Sequence, residues 1–448
     1  MATSRGEFSS RLGFILAAAG SAVGLGNIWG FPTQTATNGG AAFVLVYLVL
    51  AFCLAYPAFM AELVIGRYGQ ANAVTSMQKM SRKTWQKQFA FIVGFGGVIC
   101  AGLILSFYGI IAGWMMSYAI EPAAELLGMR GVATWVVSQG DIRNILFAAL
   151  FMFFTIFIIR KGVEQGIEKW SKRLMPVLIV LLLMLILYVI TLDGAIDGLR
   201  AYLNPDLSRV LEPDLLISAL GQAFFSLSLG TSVMVIYGSY IAKKENLVSL
   251  GAQVTLIDVT IAFMAGLLII PAMYVAQYQG VEIFAADGSL ISGPTMVFDV
   301  LPALFNSMGS IGLFVAFAFF VLMSIAALTS SISMLEGPVS YAVERHNIER
   351  NKATTAIGLL IFAMSALIIF NIEFMLDFIA MIATEYGQPI IAMLCCVFVG
   401  WIFNRSDLLE EIKHGNEDVE SSWFWKIWPW YTKFVCPVAI LMVFLHSL

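Results

Sequence analysis

Two apolar segments of this chain are each long enough to cross a membrane, yet each is interrupted at its centre by small and polar residues. The first runs over 12–31 and is interrupted at 20–27; the second runs over 216–240 and is interrupted at 225–231. Broken helices at membrane depth are tolerated only where protein or a watered cavity offers partners to the freed backbone groups. Breaks in both halves of the chain indicate the binding site of a secondary transporter.

The composition agrees with a protein that crosses the membrane many times. Of the 448 residues, 60% are hydrophobic and only 12% are charged, and a soluble domain would expose too much apolar surface. Apolar runs long enough to span about 30 Å of hydrocarbon predict eleven transmembrane helices. The predicted fold class is an all-α polytopic membrane protein.

The broken helices each begin a block of five predicted spans. Because five is odd, the second block enters the membrane with opposite polarity, which is typical of an inverted-topology repeat. The expected parts are a cytoplasmic N-terminal segment 1–11, a first repeat 12–191, an extracellular loop 192–213, a second repeat 214–403, a cytoplasmic loop 404–428 and an eleventh span 429–448. We expect the polar loop 404–428 to be a solvated connection without chemistry of its own.

Basic residues are segregated by side. If the N-terminus is cytoplasmic, all but four of the 25 Lys and Arg lie on the inner side, the exceptions being Arg130, Arg143, Arg200 and Arg209. This pattern satisfies the positive-inside rule. It predicts a multi-pass protein of the plasma (inner) membrane with an extracytoplasmic C-terminus. Because the charge is segregated by side, the net charge of −4 says little about binding partners. The expected partner of the apolar surface is the lipid bilayer.

Several function classes are disfavoured. The five Cys lie in or beside apolar runs without metal-ligand spacing, and the three His lie in loops or at the C-terminus, so neither a Cys- or His-based metal site nor a Ser/His/Asp constellation is visible. We expect that the protein is not an enzyme, that it uses no organic cofactor, and that it binds neither nucleic acid nor an obligate protein partner.

The residues of the breaks favour a zwitterionic ligand. Glycines at the first break free backbone N–H groups at a half-helix N-terminus, where a carboxylate is stabilised, and freed carbonyls can hold an ammonium group or a sodium ion. Ala326, Thr329 and Ser330 share one helical face and add a carbonyl and two hydroxyls. Two simpler interpretations remain open: glycine kinks used for helix packing, and hydroxyls bonded to their own helix.

Motifs in the same order resemble the neurotransmitter:sodium symporter family. They are AVGLGNIWGFP at 22–32, NGG at 38–40, ELVIGRYG at 62–69, FSLSLG at 225–230 and AALTSS at 326–331. The chain is most similar to bacterial members that carry leucine or several hydrophobic amino acids. The resemblance implies a leucine-transporter-like fold and a sodium-coupled symporter of hydrophobic and aromatic L-amino acids that works by alternating access, with two Na+ per substrate.

The resemblance also implies site residues. The substrate would contact Ala22, Gly24, Leu25, Gly26, Ile104, Tyr108, Phe225, Ser226, Ser228, Thr231 and Met334. The first sodium would take Ala22, Asn27, Ser226 and Asp258, and the second would take Gly20, Val23, Ala326, Thr329 and Ser330. The gates would use Arg5, Phe8, Trp29, Tyr240 and Glu344, with Gly166 and Pro176 marking a helix that unwinds; a simple kink at Pro176 is the alternative.

Three positions refine this expectation. Gly24 stands where monoamine carriers have an Asp, and Thr231 stands where the leucine transporter has an aromatic residue, so the pocket should admit amino acids with large side chains. Asp258 stands where the family usually has an Asn, and an ionised carboxylate inside a span needs a cation. We expect Asp258 to replace chloride as the compensating charge. At the outer gate, Gly30 and Ala380 replace the family's ion pair, so closure there should rest on packing.

Alternatives remain at the level of function. The same machine could carry a small or γ-amino acid, and a receptor or channel could retain the fold without accumulating solute.

Overall fold

The computed structural model describes residues 6–138, 140–285 and 290–446, which are almost entirely helical. Sheet structure in these residues is limited to an isolated antiparallel bridge between Phe284 and Leu290. In chain order the helices are α1 (Arg11–Ala22), α2 (Gly26–Thr37), α3 (Ala41–Gly69), α4 (Ala73–Met80), α5 (Thr84–Leu126), α6 (Arg130–Val137), α7 (Asp141–Ile159), α8 (Val163–Ile190), α9 (Ala195–Leu203), α10 (Pro213–Ser226), α11 (Val233–Gly238), α12 (Leu247–Tyr278), α13 (293–307), α14 (Ser310–His346), α15 (Arg350–Ile369), α16 (Ile372–Ile402), α17 (Arg405–Lys413) and α18 (Trp423–His446).

Nine helices in the described ranges are long and apolar enough to cross a membrane. A tenth span results if α1 and α2, which meet at a bend of 53°, are counted together. The predicted sixth span consists of α10 and α11, which are short helices separated by residues 227–232. The all-α membrane fold is therefore confirmed, whereas the number of eleven spans stays a prediction.

Both predicted breaks occur, and each has a local cause. Helix α1 ends at Ala22 because Val23 is extended, with φ −74° and ψ 93°. In the second break, Ser228, Gly230 and Ser232 all have positive φ, at 54°, 78° and 57°. Only glycine fits at 230, since a Cβ there would lie 1.9 Å from the carbonyl oxygen of Gln388. A helix cannot continue through three residues in left-handed conformations.

The breaks lie inside the helix bundle. Helix α1 packs against α8, α12 and α14, and α11 packs against α3. Val23 and Leu227, one in each break, are fully buried. The Glu62 carboxylate of α3 accepts a hydrogen bond of 2.7 Å from the Gly230 N–H, so a buried acid satisfies a backbone donor that the break has freed. This is the structural role that we favour for Glu62.

The segment 404–428 is solvated only in part, since part of it packs against the helix bundle. Helix α17 buries Leu408, Glu411 and Ile412, and the Glu411 carboxylate pairs at 2.7 Å with the fully buried Arg67 at the end of α3. The Arg67 guanidinium also donates to the Glu245 carbonyl oxygen at 2.7 Å. The expectation did not include these contacts, because it counted charges without their partners: through a buried ion pair this segment joins α3 to the α11–α12 connection.

Candidate substrate and ion sites

A small cavity of about 40 Å³ lies between the two helix breaks. All of the predicted substrate residues except Ser226 line it. The lining also includes four residues that the sequence analysis did not assign to the substrate, namely Ser21, Phe107, Ser330 and Gln388. The structure therefore brings together residues from α1, α2, α5, α10, α14 and α16 around the point where both helices are interrupted.

The polar end of the cavity is built from the first break and α5. The Leu25 N–H donates to the Tyr108 hydroxyl at 3.3 Å, so Tyr108 is held beside the exposed backbone of the break. A Cβ on Gly24 would lie 2.4 Å from Ser330 Oγ and 2.9 Å from Tyr108 Oη. No side chain fits at residue 24 in this arrangement, and the Gly24 N–H donates to Asn27 Oδ1 at 3.4 Å, so side chains rather than the helix accept from the N–H groups of the break.

Asp258 is the centre of a buried polar cluster beside the cavity. Its carboxylate accepts hydrogen bonds from Asn27 Nδ2 and from the Ser226 hydroxyl, each at 2.7 Å. The Ser226 hydroxyl in turn accepts from Asn27 Nδ2 at 2.9 Å and from the Tyr47 hydroxyl at 3.3 Å. Predicted first-sodium residues from α2, α10 and α12 thus converge, and Ala22 lines the adjacent cavity. Their oxygen atoms are ligands that suit a hard cation.

The second predicted ion site is a cluster of oxygens between α1 and α14. The Ser330 hydroxyl lies 3.4 Å from the carbonyl oxygens of both Gly20 and Val23, and 3.1 Å from that of Ser21. The Thr329 hydroxyl donates to the Ala326 carbonyl oxygen at 2.9 Å. All of the predicted second-sodium residues are therefore neighbours, and they offer only uncharged oxygens.

A larger cavity of about 550 Å³ lies on the other side of Phe225 and includes Gly30, Gln222, Ala380 and Gln388 in its lining. Phe225 lines both cavities and is 38% exposed. Gly30 and Ala380, the two positions without the family's charges, both belong to its lining; how the outer side closes stays a prediction. The amide of Gln222 donates to the Gly26 carbonyl oxygen at 2.8 Å, and so a side chain of α10 holds the backbone of α2.

An aromatic residue missed by the sequence analysis packs above the vestibule side of α2. The ring centroid of Phe298, in α13, lies 6.2 Å from that of Trp29, 5.7 Å from that of Trp114 and 5.0 Å from that of Tyr118. Phe298 and Trp29 therefore belong to one aromatic cluster, whereas closure of the outer side by packing stays a prediction. The available signal was the position of Phe298 in the long stretch 277–307, which is too long for a simple turn.

Aromatic packing closes the other side of the bundle. Phe8 is buried, and its ring lies in edge contact with Phe14, Tyr237 and Tyr240 at 5.5, 5.7 and 6.2 Å. The Tyr240 hydroxyl donates to the Glu336 carboxylate at 2.6 Å. Two of the predicted inner-gate residues, Phe8 and Tyr240, are thus in contact.

Ion pairs and hydrogen bonds surround this aromatic cluster. Arg350 binds the Glu336 carboxylate at 2.5 and 3.1 Å. The Glu344 carboxylate accepts from the Asn72 backbone N–H at 2.6 Å and from its amide at 3.1 Å. Arg5, the predicted partner of Glu344, lies outside the described residues, so the latch between them stays a prediction.

Helix α8 holds the N-terminal segment through a carboxylate. Glu168 accepts from the Ser9 N–H at 2.7 Å, from the Ser9 hydroxyl at 2.6 Å and from the Ser10 hydroxyl at 3.0 Å. Gly166 and Glu168 both lie in the wide turn over Val163–Glu168 that begins α8, and Pro176 lies further along the same helix. Sequence reasoning identified Gly166 and Pro176 but missed Glu168, because nothing local marks its partners at 9 and 10.

Comparison with known proteins gives the family. A model of the sodium:neurotransmitter symporter family matches residues 5–135 and 125–448. An uncharacterised sodium-dependent transporter, YhdH of Bacillus subtilis, is 34% identical over 98% of this chain and 97% of its own. A sodium- and chloride-dependent taurine transporter of Bos taurus is 25% identical over 96% of this chain and 77% of its own. The crystal structure of MhsT with L-phenylalanine superposes with a TM-score of 0.83 at 36% identity, covering 99% of this chain and 100% of that one.

The fold and the buried site together define a multi-pass membrane transporter built around two interrupted helices. The chain belongs to the sodium:neurotransmitter symporter family. This confirms the resemblance recognised in the motifs and the leucine-transporter-like fold, and it places the protein among transporters rather than enzymes.

Proposed function

We propose that this protein is a symporter that uses two sodium ions to carry one hydrophobic or aromatic L-amino acid by alternating access, without chloride. The observation that carries the proposal is the cavity between the breaks, whose lining combines Gly24, Gly26 and Tyr108 at the first break with the apolar side chains of Ile104, Phe107 and Met334. The bound L-phenylalanine of the related MhsT supports the same substrate class. We further propose that the N-terminus faces the cytoplasm of the plasma (inner) membrane and that the C-terminus lies outside.

The substrate carboxylate would lie at the first break. Freed N–H groups near Gly24 and Gly26 favour an anion, and the Tyr108 hydroxyl lies beside them. The side chain of the amino acid would then contact Ile104, Thr231 and Met334. The last is flexible and can re-pack around substrates of different shape, which favours a range of hydrophobic amino acids.

The two ions would have different roles. The first, among Asn27, Ser226 and Asp258, lies next to the substrate carboxylate and would couple ion to solute directly. The second, among the Gly20, Val23 and Ser330 oxygens, would join α1 to α14. The Glu168 contacts close to Gly166 hold the N-terminal segment, so release of that segment would give water access to the second ion.

Sodium can supply the required free energy. A tenfold gradient is worth about 1.4 kcal/mol per ion, and 100 mV adds roughly 2.3 kcal/mol per charge. Two ions with a neutral zwitterion therefore have about 7 kcal/mol available, which corresponds to about five orders of magnitude of accumulation.

Sodium-driven uptake in proteoliposomes tests the proposal. We expect labelled L-phenylalanine to accumulate above its outside concentration when sodium is high outside, and not when sodium is equal on both sides. The equal-sodium control separates a symporter from a receptor or channel, because neither of those can concentrate solute. Absence of any accumulation would refute the proposed symport.

A competition panel separates the substrate classes. Because taurine carriers are also relatives, the panel should contain tryptophan, leucine, glycine, taurine and GABA. We expect tryptophan and leucine to inhibit uptake of labelled phenylalanine. Inhibition by glycine, taurine or GABA alone would instead identify a small or γ-amino acid as the substrate.

A further inference from the structure

A second polar cavity lies between the end of α16 and the beginning of α18, away from the substrate site. Its volume is about 250 Å³, and its lining includes Trp401, Arg405, Trp430, Thr432 and Lys433. It belongs to the end of the protein where the Lys- and Arg-rich loops lie. Neither the predicted substrate residues nor the predicted ion residues contribute to it.

The walls of this cavity are fixed by close backbone contact. Wide turns over Phe398–Ile402 and Tyr431–Val435 face each other. A Cβ on Gly400 would lie 2.6 Å from the Lys433 Cα, so glycine permits this approach. The Trp401 indole N–H donates to the Lys433 carbonyl oxygen at 3.0 Å. The cavity is therefore a built feature rather than a gap between mobile side chains.

The chemistry of the lining suits a phosphate. Within the described part of the chain, neither Arg405 nor Lys433 has a carboxylate within ion-pair distance, and no acidic residue lines the cavity. Their cationic groups lie over aromatic rings, Arg405 5.7 Å from the ring of Trp425 and Lys433 4.3 Å from that of Trp401. Thr432 is fully buried, and its hydroxyl has no hydrogen-bond partner among the described residues. Two unpaired cations and an unpaired hydroxyl are donors for an anionic oxygen.

The surroundings favour a lipid as the source of that phosphate. Trp401 and Trp430 are each 58% exposed, and tryptophan is enriched where membrane proteins meet the headgroup region. Basic pockets between membrane helices on the cytoplasmic side bind anionic headgroups. We propose that this headgroup cavity binds the phosphate of an anionic phospholipid, with Arg405 and Lys433 as its charge partners and Thr432 as a hydrogen-bond donor.

Native mass spectrometry of the full chain tests this site. The protein is mixed with phosphatidylglycerol or with phosphatidylcholine of the same acyl chains. We expect retained phosphatidylglycerol, with binding weakened about fivefold by Arg405→Gln and about fivefold by Lys433→Gln. Lys426→Gln is the matched control, because Lys426 belongs to the same helix and lies 5.3 Å from the ring of Trp423 without lining the cavity.

Two results would overturn the proposal: equal retention of phosphatidylcholine, or a loss in Lys426→Gln as large as in Lys433→Gln. Thr432→Val, which preserves shape, should weaken retention without lowering the melting temperature; unchanged retention would remove Thr432 from the site. Inorganic phosphate is added in a separate arm. If it displaces the lipid and itself binds with the same dependence on Arg405 and Lys433, the cavity binds free phosphate and the lipid assignment is wrong.

Discussion

Replacing Asp258 by Asn isolates the effect of one buried charge. The Asp258 side chain is fully buried and accepts hydrogen bonds of 2.7 Å from both Asn27 and Ser226. Asn has almost the same shape. Its oxygen can still accept from Asn27, and its amide can donate to the Ser226 hydroxyl. The variant therefore removes the charge while it retains the packing and most of the hydrogen bonding.

The magnitude follows from Coulomb's law. Even at about 5 Å from a sodium ion, farther than a directly coordinating oxygen would lie, a carboxylate at an effective dielectric constant near 20 contributes about 3 kcal/mol, which is a lower bound for a ligand. Its loss should raise the sodium concentration for half-maximal uptake about a hundredfold. The assay is a sodium titration of amino acid uptake in proteoliposomes, performed once in chloride and once in gluconate.

We expect wild-type uptake to be equal in the two anions, because Asp258 supplies the negative charge itself. In Asp258→Asn, the sodium concentration for half-maximal uptake should rise by the calculated factor. Asp299→Asn, at an exposed acid of α13 away from the cluster, is the matched control and should leave the sodium titration unchanged in both anions. Wild-type uptake that stops in gluconate would refute the role given to Asp258, and so would a variant with unaltered sodium dependence.

Three further substitutions test other parts of the site and fold. Gly24→Ala should abolish uptake and lower the melting temperature, because its Cβ would lie 2.4 Å from Ser330 Oγ and overpacking a buried site is destabilising; normal uptake would show that Ser330 and Tyr108 can move aside. Thr231→Phe should shift preference from tryptophan toward smaller amino acids by roughly tenfold or more, measured by competition, and unchanged selectivity would exclude residue 231 as a size filter. Glu411→Gln should lower the free energy of unfolding by about 3–5 kcal/mol, because it leaves the buried Arg67 guanidinium without its charge partner. Thermal melting measures this, with Glu410→Gln at an exposed neighbouring position as the control. Equal melting temperatures of the two variants would contradict the role of the ion pair.

The helix breaks and most of the cavity lining were predictable because their signals are local. Glycine and serine inside an apolar run disrupt a helix wherever they occur together, and small residues leave backbone groups accessible. Family motifs then supplied the partner residues on other helices. Gln388 was missed because its contribution depends on where α16 passes the second break, and no motif of its own marks that position.

Long-range pairs were not predictable in the same way. Arg67 and Glu411 are 344 positions apart, and neither residue belongs to a pattern that names its partner. In the sequence Arg67 directly follows a long apolar run and Glu411 lies in the polar segment 404–428, and at such positions solvation is the usual outcome for a charge. The packing of α17 against the end of α3 removes that solvation, and only the tertiary arrangement shows it.

The geometry at the end of α10 gives a physical reason for coupling between sodium and the substrate. The cavity of about 40 Å³ is far below the roughly 300 Å³ of an ordinary small-molecule pocket, so a hydrophobic amino acid enters only if a wall moves. Phe225 forms the wall shared with the vestibule together with Phe107 and Gln388, and the residue after Phe225, Ser226, donates to Asp258. An ion bound there would restrain Ser226 and, through the adjoining backbone, the position of Phe225. We infer that sodium fixes the closed position of this wall over the substrate. Asp258→Asn should then weaken the apparent affinity for the amino acid together with that for sodium, and a change in sodium dependence alone would contradict the coupling.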